Sequence, residues 1–121
     1  MAGVSDRIVL TMPTDVRLRS VATLVLGGLG SRLELPFERA DDLQLAVLST
    51  LEATDGRDVT LEVDADESGL RLAVGPVRAG SSEDDALMRV VSRLVDEVGH
   101  ERRDGVEWLI LRIARTTTNT P

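Results

Sequence analysis

The chain has 121 residues, enough for one hydrophobic core and too few for two. Hydrophobic residues make up 42% and charged residues 29%, which excludes a disordered chain, and a net charge of −7 without a basic stripe excludes binding to a nucleic-acid backbone. All fourteen cationic residues are arginine and there is no cysteine, so a catalytic lysine, a thiol nucleophile, a disulfide frame and a cysteine zinc site are excluded as well.

Aromatic residues are limited to Phe37 and Trp108, so the core has to be built from Leu, Val, Ile and Ala. The same scarcity removes the stacking platforms that single-stranded nucleic acid needs. The opening MAGVSDRIVL lacks the basic-then-apolar order of a signal peptide, and no apolar run reaches the length of a membrane span. A cytoplasmic location, away from the membrane, is the expectation.

Arg7 to Met12 alternates, with Ile8, Leu10 and Met12 on one face, and reads as a strand ended by Pro13. Thr14 is placed to cap a helix beginning at Asp15, in which Leu18, Val21, Val25 and Leu29 recur at helical spacing. Gly27, Gly28 and Gly30 read as the end of that helix. A second helix is predicted from Phe37 to Thr54 on the stripe Ala40, Leu43, Val47 and Leu51, stopped by Asp55-Gly56.

Val59, Leu61, Val63 and Ala65, the turn ESG, and Leu70, Leu72 and Val74 form a hairpin with one wet face. The stretch GPVRAGSSEDD reads as a long loop whose Ser82 and Asp85 resemble a capping box. It opens a third helix carrying Leu87, Val90, Val91, Leu94 and Val98. A final hairpin runs from His100 to Arg115; its second strand, VEWLILRIA, is apolar on both sides and belongs inside the sheet. Residues 116–121 are expected to fray. The order β-α-α-β-β-α-β-β within one domain, 1–121, predicts an α+β, two-layer sandwich: a mixed, mainly antiparallel sheet with three helices on one face.

This order, with DDLQLAVLSTLEA in the second helix and LVDEV before the closing hairpin, resembles the anti-sigma-factor serine kinases, which have the histidine-kinase-like ATPase fold of the GHKL group. The resemblance spans Ile8 to Arg115. In that family the second helix carries D-D-L-x-L-A-V-x-E-A-x-x-N, its glutamate a general base and its asparagine a magnesium ligand. Asp41, Asp42, Leu43, Leu45, Ala46 and Val47 match the approach, but Ser49 stands at the glutamate and Ala53 at the asparagine. A serine hydroxyl is a poor base at neutral pH, and alanine has no oxygen for a metal. Glu52, three residues on, does not reach the same angle on the helix.

The family's D-x-G-x-G, which holds adenine, falls on Pro76, Val77, Arg78, Ala79 and Gly80, without the aspartate or the first glycine. The phosphate-covering G-x-G-L falls on Asp85, Ala86, Leu87 and Met88, and Asp84 and Asp85 bring negative charge there. The resemblance thus implies a pseudokinase: a transcription regulator of anti-sigma type without a catalytic residue, metal or nucleotide cofactor. It implies binding to a sigma factor or to an anti-anti-sigma partner of STAS type, and a homodimer. Arg19, with its neighbour Arg17, falls on the first-helix segment that touches partners in the family. The alternatives are a divergent serine kinase using magnesium-ATP, and a scaffold subunit unrelated to transcription.

Other features have plainer readings. Glu83, Asp84 and Asp85 suit a helix N-terminus better than a metal. His100 is the only histidine and belongs to a strand edge, so no zinc site or triad forms around it. Ser49 lacks an activating base. Trp108 alternates with Val106 and Ile110 and is expected to pack against a helix rather than anchor a partner.

Overall fold

The computed structural model describes residues 6–13, 19–32, 34–54 and 58–114. Its elements follow as β1 (Asp6–Met12), α1 (Arg19–Arg32), α2 (Phe37–Leu51), β2 (Val59–Asp66), β3 (Gly69–Val77), a 3-10 turn (Ser81–Glu83), α3 (Asp85–Leu94), β4 (Glu97–Arg103) and β5 (Val106–Ala114). The order expected from sequence is the order found. The Thr14–Asp15 helix start, Arg17, the Asp55-Gly56 stop and the tail 116–121 lie outside the described residues.

The strands form one sheet in the order β1-β2-β3-β5-β4, and every pairing is antiparallel, so the expected mixed sheet is corrected to a uniform one. Two helices separate β1 from β2. A pair of helices returns the chain to the end of the sheet where β1 finished, so β2 runs back along it, with Met12 opposite Val59. The single helix α3 points β4 the same way as β3, but β5 lies between them. The apolar strand VEWLILRIA is therefore interior, as its pattern requires.

Alternation sends Met12, Leu61, Val63, Leu72, Val74 and Leu111 to one face, where they share a core with Ala22 and Leu26 of α1, Leu43 and Val47 of α2, and Val91 of α3. The helices lie on this face in a two-layer α+β sandwich. In α3 the burial differs from expectation: Val91 is buried, Val90 is about half exposed, and Val98 belongs to β4.

Gly27, Gly28 and Gly30 do not end α1; the helix continues through them to Arg32. The value of Gly30 is closeness. A Cβ on Gly30 would fall 3.0 Å from the Cβ of Ala40, so the missing methyl lets α2 lie against α1. The helix ends instead at Glu34, which takes a left-handed φ of 56°, while Leu35 N–H donates to Gly30 O and Glu34 N–H to Ser31 O. That is the Schellman pattern of bonds, with glutamate where glycine is usual.

Two other boundaries move. α2 stops at Leu51, and its continuation folds so that Thr54 bridges Val77 and Arg78 N–H donates to Ala53 O at 2.8 Å. Because those bonds hold residues 77 and 78, β3 runs to Val77 and the loop after it is short. Pro76 is accommodated at the register shift between Val74 and Val77, where the ladder needs no N–H. The Ser82–Asp85 capping box is absent; Asp84 caps α3 by accepting from Leu87 N–H at 3.1 Å.

Trp108 faces away from the helices, because β5 turns Glu107, Leu109 and Leu111 inward and Trp108 and Ile110 outward. Its ring lies against the backbone of Gly75, under the Arg103 guanidinium 4.2 Å from the ring centroid. Arg103 in turn bonds Glu62 at 2.9 Å and Glu101 at 2.6 Å. Burial opposes its charge, but the hydrogen bonds and charges of the two carboxylates outweigh burial and raise its pKa. This network lies beside Ala73 and Ile110, which are buried on the face that no helix among the described residues covers.

The three helix glycines give a sharp test of the close approach. Gly28 has nothing within 4 Å of an added Cβ, so Gly28→Ala should stabilise the protein by about 1 kcal/mol through helix propensity. Gly30→Leu should cost roughly 1–3 kcal/mol by forcing α1 from α2. Urea denaturation of both variants measures the opposite signs.

Candidate functional site

The C-terminal half of α2 and the first turns of α3 enclose a cleft of about 320 Å³. Ser49 and Ala53 come from α2, and Arg78 from the strap that joins β3 to α3. Ala86, Leu87 and Val90 form the α3 wall, and Glu52 and Asp84 supply carboxylates. Four positions singled out in the sequence, Ser49, Ala53, Arg78 and Leu87, thus meet in one place although up to 38 residues separate them along the chain. The other three do not line it: Pro76 sits back in β3, Gly80 at the bend of the strap, and Asp85 opens α3.

The strap owes its position to Glu107, which the sequence reading passed over. This carboxylate is 8% exposed and lies on the helix side of β5. Its Oε1 accepts from Gly80 N–H at 3.1 Å and its Oε2 from Ser82 N–H at 2.8 Å. Burial pushes the Glu107 carboxyl up, but the Ser82 and Gly80 amides, the Ser82 hydroxyl and the charge of His100 outweigh it, leaving its pKa below the ordinary value. Ser81 completes the bend by donating its hydroxyl to Arg78 O at 2.6 Å. Gly80 takes a φ of 86°, which favours glycine, so the turn alone accounts for a glycine there. The clue in sequence was a lone acidic residue at an inward position of an otherwise apolar strand.

The chemistry available in the cleft is limited. Its rim is acidic, with Glu52 and Asp84 lining it, Glu83 and Asp85 beside it, and Arg78 opposed to them. Asp84 already occupies the N-terminus of α3, the place where a helix would otherwise receive phosphate. His100 lies on the edge strand β4 and does not line the cleft. Among the described residues no group of three or more metal-ligating side chains comes together. Arg19 is the first residue of α1, and the expected partner contact at Arg17 lies outside the described residues. No helix among the described residues is long and apolar enough to cross a membrane.

A second hollow, about 460 Å³, lies at the far end of the sheet beside the β2–β3 turn. There Asp66 is held below its ordinary pKa, first by the Ser68 hydroxyl and then by the Ser68 N–H. Its carboxylate is thus engaged in fixing the turn. Compared with known proteins, the chain matches no family model and no curated protein.

Glu107→Gln should loosen the strap, because an amide presents one acceptor where two N–H donors converge. The expected cost is about 1–3 kcal/mol at neutral pH. A lowered pKa means the carboxylate's stabilisation is full above the ordinary glutamate value of 4.5 and is lost as pH falls through the folded-state value. The difference between wild type and variant should therefore shrink under acid, which urea melts across pH will measure.

Proposed function

We propose that this chain is a protein-binding regulatory domain on a histidine-kinase-like ATPase frame, similar to an anti-sigma factor whose nucleotide site has been lost. One observation carries the reading. Four of the six positions at which the sequence departs from the kinase pattern, Ser49, Ala53, Arg78 and Leu87, converge on a single cleft, while Pro76 and Asp85 lie outside it. A kinase site with those substitutions keeps its walls and loses its base and its metal ligand. Asp84, bonded to Leu87 N–H, adds a fixed negative charge where a triphosphate would lie.

The partners this reading names are a sigma factor or an anti-anti-sigma protein, with a second copy of the chain against α1. That helix is apolar around much of its circumference. Its inner side buries Ala22, Leu26 and Leu29, yet Val21 is 40% and Leu24 76% exposed on the outer side. A helix with apolar residues on both sides has more surface to cover than one core provides. Arg19 stands at the start of this helix, at the rim of such an interface.

The reading is tested by thermal melts with ATP and ADP, with and without magnesium. A nucleotide bound a thousandfold below its concentration adds about 4 kcal/mol, a rise of more than about 10 °C for a chain of this size. The expected result is no saturable rise at millimolar nucleotide. A saturable rise would return the chain to the active kinases.

A further inference from the structure

α2 and α3 lie antiparallel: Ser49 and Ala53 share a cleft with Ala86 and Leu87, while Arg39, near the start of α2, pairs with Asp96 just past the end of α3. The cleft thus lies at one end of the groove where the two helices meet. Leu45 is 47% exposed one turn before Ser49, and Val90 is 49% exposed at the corresponding level of α3. Both are large apolar side chains in the middle of polar helix surfaces, and neither belongs to the core. Along the outer stripe of α2 the sequence reads Asp41, Leu45, Ser49, Glu52, a short apolar step between two carboxylates.

We infer that this groove is a docking site for an amphipathic, basic helical segment of a protein partner. Charge selects the occupant. Asp41, Asp42 and Glu52 on α2 and Glu83, Asp84 and Asp85 before the body of α3 outnumber Arg39 on α2, Arg78 on the strap and Arg89 and Arg93 on α3. Asp41 and Glu52 stand about 16 Å apart along the helix axis, three turns of a partner helix. An occupant that fits has apolar residues over Leu45 and Val90 and a lysine or arginine three turns apart at either end. Ser49 and Ala53, which leave no bulk in the cleft, give such a helix room to approach. The inference rests on the protein-binding reading above and names its partner surface.

The probe is a fluorescein-labelled peptide of about 18 residues, leucine on one helical face and lysine on the other, long enough to hold a helix on a surface. Its scrambled isomer serves as control, and binding is read by anisotropy. Saturable binding of the patterned peptide is expected, weakened at least about tenfold by Glu52→Arg. The double variant Leu45→Glu, Val90→Glu discriminates further. It changes exposed positions only and makes the protein more acidic, so general attraction of a basic peptide would increase, whereas groove binding should fall at least about tenfold. Equal binding of the scrambled peptide, stronger binding to the double variant, or no binding at about 100 μM peptide would each overturn the inference. Magnesium-ATP melts of the same samples keep the two claims apart. Absence of both a nucleotide shift and peptide binding removes the groove and leaves the reading, and a nucleotide shift removes the reading itself.

Discussion

A carboxylate buried in the edge of an apolar core is stable only if its two oxygens find donors, and the donors that Glu107 finds decide the shape of the cleft. Gly80 and Ser82 turn their amides onto it, which draws the strap between β3 and α3 down against β5. With the strap fixed, Arg78 reaches back to Ala53 and Asp84 is left at the head of α3. Those contacts set the distance between α2 and α3, and hence the cleft. The rest of the sheet could form without Glu107, but the cleft would have no defined wall.

The two faces of the sheet are stabilised differently. On the helix side, close packing of small and branched residues does the work, and Gly30 against Ala40 shows how near the backbones come. On the other side no helix among the described residues covers the strands. There Arg103, held by Glu62 and Glu101, lies across Trp108 and shields the apolar strip of Ala73 and Ile110. These ion pairs are only partly exposed, and Glu62 is the most buried of the three partners. Their use here is to cover apolar surface with groups that water accepts. The chain therefore spends its only tryptophan on a structural cover, yet Val9 of β1 stays exposed, as do Val21, Leu24, Phe37, Leu45 and Val90 on the helices.

Much of this architecture was legible in the sequence because alternation and helical spacing are local signals. β1, the β2–β3 hairpin and the interior place of β5 follow from which residues alternate. What failed depended on tertiary contact. Glycines 27, 28 and 30 look like a stop until α2 is placed against them. Residues 75–77 look like loop until Thr54 and Glu107 are brought alongside. Trp108 was assigned to the helix face because the alternation of β5 gives two faces but not which is inward; Glu107, bonded to the strap, decides it. For the candidate site, the four converging positions came from comparing the sequence with a kinase pattern. Glu107 carries no motif and shows in sequence only as a lone acidic residue at an inward position, and the place of Glu52 and Val90 at the cleft becomes visible only in three dimensions.

The central claim is that the strap over the cleft is held by the protein itself rather than by a nucleotide. Hydrogen exchange at the Gly80 and Ser82 amides, in the ligand-free chain and with millimolar magnesium-ATP, addresses it directly. Slow exchange in the ligand-free chain, unchanged by the nucleotide, is the expected result, because Glu107 already accepts both protons. Fast exchange that becomes slow only when magnesium-ATP is added would contradict the claim and mark the strap as a nucleotide-dependent lid.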